Sequence, residues 1–374
     1  MELVEPYPVF SIRAKKWRYL CLGSKWDRCV VPIYEATARG KRTLLLKTLL
    51  TDRCQNDCLY CALRSHRRGP RYSWDPSKLI RIALELWAER KIDGLFLSSG
   101  LFKDPDYTVE REVEVVRGLR DAGYTGYIHL RLMPGVSRYL AKEAIRLVDR
   151  VGVNLEAPSR EIFSALCPDK GDYENDVVKR LRWLSREAES VRPERHACGY
   201  ASAGLDTQLI VGATEDSDVE YLMTLGYLYN SLGLRRVYFS GFEPISETPL
   251  ANRKPCPKRR VATLYKASYL IRDYGFTTHE LLELTDDRGL LPPDDPKVVY
   301  ARLHPELFPV DPSEAGFKEL VRIPGIGPSR ANKIIEARKG GRVDRASSLA
   351  KLLGKRTVRK IAPYVELRGR LVWG

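Results

Sequence analysis

Apolar runs of strand length recur along the chain at RTLLLKTLL (42–50), DGLFLSSG (93–100), GYIHLRLM (126–133), DRVGVNLE (149–156), DTQLIVGA (206–213) and RRVYFSGF (235–242). Between them lie stretches with the 3.6-residue period of a surface helix, such as PSKLIRIALELWAER and TVEREVEVVRGLRDAG,. Strands alternating with helices predict a parallel α/β sheet, doubly wound or curled into a barrel. The unit length fits a partial (β/α)6 barrel over 42–284, whose chemistry gathers at the C-terminal ends of its strands,. Residues 1–41 mix basic and aromatic positions without a clean period and read as an N-terminal extension. Six prolines between Pro292 and Pro312 break any continuous helix or central strand, so 285–312 reads as a linker,. Beyond it, helical patterns return, predicting a small all-α domain over 313–374.

Composition sharpens the picture. Hydrophobic residues make up 44% and charged residues 30% of 374 residues, enough for a packed core and too little charge for wholesale disorder,. The net charge of +15 points to a polyanionic partner,. Residues 311–374 hold 15 Lys and Arg against 6 Asp and Glu, so most of that excess sits in the tail. No apolar run approaches the roughly 20 residues that span a bilayer. The start, MELVEPYPVF, lacks the basic and apolar regions of a signal peptide,. The expectation is a cytoplasmic protein without a membrane partner.

Eight cysteines in such a chain read as metal ligands or buried thiols before disulfides,. Cys54, Cys58 and Cys61 form C-x3-C-x2-C directly after the first apolar run, while Cys21, Cys29, Cys167, Cys198 and Cys256 are scattered. A loop with that spacing can wrap three thiolates around one [4Fe–4S] cubane and leave the fourth iron open. Zinc wants four ligands, typically in two CxxC pairs, and the second pair is missing. A zinc or electron-transfer site completed by a remote Cys or His is the alternative.

At LLTDRCQNDCLYC, with Tyr60 immediately before the third cysteine, the sequence resembles the radical S-adenosylmethionine superfamily. The resemblance implies that S-adenosylmethionine binds the open iron and is cleaved by one electron to a 5′-deoxyadenosyl radical, the electron coming from a donor such as ferredoxin or flavodoxin. It also implies cofactor contacts at further strand ends. Ser98, Ser99 and Gly100 keep the small residues of the family's Gly-Gly-Glu-like turn but lack its acid. Asn154 and Glu156, two apart and so on one strand face, stand where the family places ribose-binding groups, the alternative being a solvent-facing strand end. Gly212 in QLIVGATE suits close backbone approach beside adenine, and Ser240 ends the last strand over the pocket.

In the tail, FKELVRIPGIGPSRANKIIEARKG sets a Pro-Gly-Ile-Gly-Pro turn between two helical patterns. Gly325 and Gly327 permit the tight turn, and Ser329 can cap the next helix and leave its first amides for a phosphate. This resembles the helix–hairpin–helix motif, with Arg330 and Lys333 following the hairpin and a second helical pair behind it; a protein–protein adaptor is the bland reading. Together the two halves resemble the DNA modification or repair radical S-adenosylmethionine proteins with a C-terminal helix–hairpin–helix. That implies nucleic acid as substrate, DNA ahead of RNA, with a tRNA-modifying enzyme or a non-catalytic iron–sulfur sensor as rivals. The basic run Arg64, Arg67, Arg68 and Arg71 comes after the cysteine loop and is expected to hold a strand at the pocket mouth. Cys198 or Cys256 could return a hydrogen atom to a substrate radical. A second iron–sulfur cluster would need three of the five scattered cysteines, which are more commonly plain buried thiols.

Overall fold

The computed structural model describes residues 33–38, 41–190, 198–341, 343, 345–367 and 370–371. They fall into two compact units, one built from residues up to 216 and 232–256, the other from 217–231 and 257 onward.

The first unit holds one seven-stranded sheet in sequential order. Its strands are β1 (Ile33–Ala38), β2 (Lys41–Leu49), β3 (Gly94–Ser98), β4 (Tyr127–Leu132), β5 (Arg150–Val153), β6 (Leu205–Val211) and β7 (Arg236–Gly241). From β2 onward all neighbours are parallel, and each pairing is joined by a crossover, the partial (β/α) barrel expected. β1 is the departure: part of the presumed N-terminal extension pairs antiparallel with β2 as an edge strand. Its Tyr34 and Glu35 are exposed, so IYEATA lacks the apolar run that marks the inner strands,.

Side-chain alternation divides the parallel strands into two faces. Leu95 and Leu97 on β3, and Ile128, Leu130 and Leu132 on β4, are buried apolar residues at one parity,. The other parity is polar. The Lys47 ammonium lies 5.0 Å from the Phe96 ring, which meets His129 edge-on at 4.6 Å. His129 and Arg131 both face the Asp206 carboxylate, at 2.7 and 3.1 Å. Burial lowers His129 to about 4, keeping the ring neutral at physiological pH,. At Gly152 an added Cβ would stand 2.1 Å from the Asp206 carbonyl, so glycine lets β5 lie against β6 there.

The helices of this unit begin with side-chain caps. Asp75, Asp104, Ser137 and Ser159 each accept from the amide three residues on, starting Pro76–Ala88, Pro105–Asp121, Arg138–Leu147 and Arg160–Leu166,. Pro76 and Pro105 occupy the first turn, where a missing amide costs nothing,.

The second unit is helical except for one short antiparallel pair, Glu366–Leu367 with Arg370–Leu371, so the tail expected to be all-α also carries a two-stranded sheet. Residues 217–231 join it through the Arg260–Asp218 ion pair at 2.8 Å and the Tyr229–Ser268 hydroxyl bond at 2.6 Å. The presumed linker is structured: Pro296–Leu303 is a helix, capped by Asp295, with Tyr300 and Ala301 buried. Its proline stands in the first turn and so starts the helix instead of breaking it. Further on, the helices Phe317–Arg322, Pro328–Lys339, Ala346–Leu353 and Lys355–Ile361 enclose a core that includes Leu320, Ile323, Ile326, Ile334, Leu349 and Ile361.

Candidate active site at the strand ends

The loop after β2 is fixed on both flanks before any of its thiols is considered. The Gln55 amide donates to the Leu101 carbonyl and the Leu59 amide to the Leu166 carbonyl, both at 2.9 Å. Gly100 lies so close beneath that a Cβ there would come within 2.3 Å of the Arg53 carbonyl. Glycine at this position is what lets the cysteine loop rest on the end of β3. From below, Arg71 donates to the carbonyls of Asp52, Leu63, Arg64 and Arg67 at 2.7–3.0 Å.

This framework brings Cys54, Cys58 and Cys61 to one cavity at the C-terminal ends of the strands. Tyr60, Ser98, Ser99, Gly100, Asn154, Glu156 and Ser240 line the same cavity. Asn154 Oδ1 and Glu156 Oε2 are buried there without a hydrogen-bond partner. Two acceptors held this way cost free energy until a donor arrives. The other Glu156 oxygen is paired with Lys170, and Glu156 holds a left-handed backbone at φ 65°. Burial presses the Lys170 ammonium toward neutrality, but the Glu156 carboxylate and nearby thiols outweigh it and hold its pKa above that of an ordinary lysine.

The three thiols differ in their surroundings. A hydrogen bond with Cys167 lowers Cys58 and outweighs its burial, with Lys170 assisting. Enclosure pushes Cys61 up to about 12 and also raises Cys54. Among the described residues no three His, Cys, Asp or Glu side chains converge on a single-ion site. A cubane asks for something else, because its three thiolates bind three different irons.

Residues 48–190 match the model of the Radical SAM superfamily. That stretch is similar to a radical SAM domain. A [4Fe–4S] cluster and S-adenosylmethionine are the cofactors of that superfamily. The residues present fit both: a thiol triad on one cavity wall, and unpaired acceptors at Asn154 and Glu156 suited to hydroxyl or ammonium donors. No curated protein matches the chain. Among solved structures it is similar to the FeFe-hydrogenase maturase HydG from Carboxydothermus hydrogenoformans, at 15% identity and TM-score 0.47, over 61% of this chain and 51% of that one. It is also similar to methylornithine synthase PylB, at 15% identity and TM-score 0.49, over 63% and 65%. A third is the radical S-adenosylmethionine methyltransferase TsrM from Kitasatospora setae, with cobalamin and a [4Fe–4S] cluster bound, at 13% identity and TM-score 0.40, over 55% and 38%. The chain thus spans about half of HydG and about two thirds of PylB.

Several expected residues of the radical SAM domain stand elsewhere. Gly212 does not line the cavity; its φ is 77° and an added Cβ would meet Cys256 at 2.9 Å. Cys256 is buried against that turn, also off the cavity lining. Cys198 is exposed, its thiol 3.3 Å from the Thr125 carbonyl. Thr125 precedes β4, so Cys198 sits at the strand ends opposite the thiol triad, too far to return a hydrogen atom to a radical in this cavity. The basic run is also corrected. Arg64 is buried in a bidentate pair with Asp57, and Arg71 is occupied by loop carbonyls. Arg67 donates to the Ala62 carbonyl at 2.9 Å with Glu247 nearby, which leaves Arg68 exposed at the loop surface. Cys167 lies beside Cys58, apart from Cys198 and Cys256, so these three form no second cluster; Cys21 and Cys29 lie outside the described residues.

Arg131 and Lys170 are the two charged lining residues absent from the sequence-based expectations, which also pass over the polar Asn56 and Gln208. The alternation in HLRLM places Arg131 in register with His129 and is the signal that marks it. Lys170 arrives on the loop after Leu166, where nothing in the sequence marks it.

In the second unit, the hairpin is held by its own cations. Arg330 donates to the Gly325 carbonyl at 2.9 Å and Lys297 to the Ile326 carbonyl at 2.5 Å. Gly325 has φ 102° and packs on Lys360 and Ile361, while Gly327 abuts Tyr274. Ser329 does not cap the next helix, which starts from Gly327 with Pro328 in its first turn and no side-chain cap; Ser329 and Lys333 are exposed on it.

Proposed function

We propose that this chain is a radical S-adenosylmethionine enzyme that modifies or repairs nucleic acid, DNA in preference to RNA. The observation that carries the enzymatic half is the cavity itself: three thiols on one wall, with unpaired buried acceptors at Asn154 and Glu156. The cluster and S-adenosylmethionine, when bound, supply a 5′-deoxyadenosyl radical that takes a hydrogen atom from the substrate. Cys54, Cys58 and Cys61 hold the cluster. Asn154 and Glu156 would accept from hydroxyl or ammonium groups of the bound cofactor, and the ion pair with Lys170 orients the Glu156 carboxylate. Ser98, Ser99 and Ser240 line the wall with small side chains, so the cavity stays open where a reactive centre has to approach its target.

The nucleic-acid half rests on the tail, where exposed cations lie beyond a glycine hairpin. A base reaches a cavity at strand ends only from a single strand or after flipping out of the stack, at a cost of a few kcal/mol that backbone contacts elsewhere can offset. The test has two stages. Anaerobic protein supplied with iron, sulfide and a reductant is expected to convert S-adenosylmethionine to 5′-deoxyadenosine; no conversion would leave the sensor reading standing. Mass spectrometry of nucleosides from total DNA and total RNA, with and without the gene, is expected to show one altered DNA nucleoside. A change confined to RNA would move the reading to an RNA-modifying enzyme.

A further inference from the structure

A further thiol stands beside the cluster triad. Cys167 closes the helix Arg160–Leu166, its amide bonded to the Phe163 carbonyl at 2.8 Å. The residue before it, Leu166, accepts from the Leu59 amide at 2.9 Å, which stitches this helix end to the cysteine loop between Cys58 and Cys61. The stitch sets the Cys167 thiol against Cys58, and the two are hydrogen-bonded. Cys167 is fully buried and, unlike the triad, does not line the cavity, so it meets Cys58 from the protein side. The same turn carries Lys170, whose amide donates to the Cys167 carbonyl at 3.1 Å. Its ammonium is within electrostatic reach of all four thiols, but its charge is already matched by Glu156.

This placement separates the roles open to Cys167. A hydrogen-atom donor to a substrate radical needs a face on the cavity, and Cys167 has none. A further iron ligand would have to reach the iron left open toward the cavity, on the far side of Cys58. An inert packing thiol would stand among apolar groups; this one stands against a ligand sulfur. A thiolate bound to iron keeps lone pairs that can still accept, and a thiol has one proton to give. Reduction adds one negative charge to the cluster, and part of it falls on the ligand sulfurs. A donor aimed at such a sulfur stabilises the reduced form more than the oxidised one, which raises the reduction potential.

We propose that Cys167 is a positioning residue for the cluster: its thiol donates to the Cys58 sulfur and makes the bound cluster easier to reduce. The inference rests on the cluster assignment and is independent of the nucleic-acid reading. It gives the helix end after Arg160–Leu166 a part in the one-electron step on which cofactor cleavage depends.

The experiment is a redox titration of the full chain, loaded anaerobically with iron and sulfide, with the reduced cluster followed by electron paramagnetic resonance. Cys167→Ala is expected to keep the wild-type iron content and to shift the midpoint potential to more negative values. Cys167→Ser retains a proton to donate and is expected to recover part or all of that shift, which a merely structural role would not do. Added S-adenosylmethionine is expected to alter the resonance of all three proteins alike, because the open iron is untouched. An unchanged potential in Cys167→Ala at full iron content would overturn the proposal, as would equal shifts in the two variants. Loss of the S-adenosylmethionine response in Cys167→Ala would make Cys167 a ligand and overturn it too. A measurement on the unaltered chain keeps the test decisive should the variants misfold. In iron-free protein, azodicarboxamide takes one hydrogen from each of two thiols and is reduced to the hydrazine as the S–S bond forms. Peptide mapping is expected to find Cys58 joined to Cys167; Cys58 left free, or joined only to Cys54 or Cys61, would overturn the contact. Failure of the wild-type chain to hold iron at all would instead bring down the cluster assignment itself.

Discussion

Charge is handled in opposite ways in the two units. In the barrel unit it is paired internally: Lys170 with Glu156, Arg64 with Asp57, Arg120 with Asp149, Arg131 with Asp206. Its first four helices also satisfy their leading amides with their own Asp and Ser caps. In the tail, Pro328–Lys339, Ala346–Leu353 and Lys355–Ile361 have no side-chain cap, and Lys333, Lys351, Lys355, Arg356 and Arg359 are exposed. A unit that closes its electrostatics on itself is built to hold reactive groups in fixed places. The tail of the second unit leaves them open, which on the nucleic-acid reading proposed above is where a partner would bring the missing charge.

The most severe way to separate the two is at the thiols. Cys54→Ala, Cys58→Ala and Cys61→Ala are each expected to abolish bound iron and 5′-deoxyadenosine formation while leaving nucleic-acid affinity unchanged. Loss of binding alongside iron would show that the tail depends on the cluster, and the division would fail.

A lysine removed from each unit should then give unequal costs. Lys170→Met leaves Glu156 buried without its partner, which typically costs about 3–5 kcal/mol. Lys351→Ala removes an exposed cation, and surface changes of that kind stay within about 0.5 kcal/mol. Urea unfolding of both variants measures the contrast, and equal shifts would break it.

A pH-dependent effect concerns Glu112, which lies in the core-facing side of Pro105–Asp121 with neither carboxylate oxygen hydrogen-bonded. Burial raises its pKa well above the usual 4.5. The folded pKa exceeds the unfolded one, so its contribution to stability is complete below about pH 4.5 and drains away as pH rises toward the folded value. Glu112→Gln is therefore expected to flatten stability against pH above that point and to leave the variant the more stable at neutral pH. Each unit of the raised pKa is worth about 1.4 kcal/mol. A pH series of thermal melts reads this directly; parallel curves for both proteins would mean that Glu112 is solvated.

Legibility from sequence divides along similar lines. The thiol triad is readable because its geometry is local, three residues on one loop. Asn154 and Glu156 both reach the cavity, but not by the strand alternation that pointed to them: β5 ends at Val153 and Glu156 is left-handed, so the turn beyond the strand brings them together. Lys170 is not readable, since its role depends on a loop returning across the strand ends. Arg64 and Arg71 mislead because a basic run looks the same whether its acceptors are phosphates or the carbonyls of its own loop. Pro296 misleads as a breaker, because a proline opening a helix and one interrupting it differ only in which side the helical residues lie on.

Arg71 also bears on how the cluster is assembled. One guanidinium gathers carbonyls from Asp52 through Arg67, bracketing all three cluster cysteines. The loop's shape is therefore set by the polypeptide, and iron has only to arrive. In small metal-dependent domains the ion does the folding, and its loss unravels the chain. The bonds from Arg71 do not involve the thiols, so the loop is expected to keep its form when oxygen damages a cluster, and reloading then needs delivery of iron and sulfide with no renewed search for a fold.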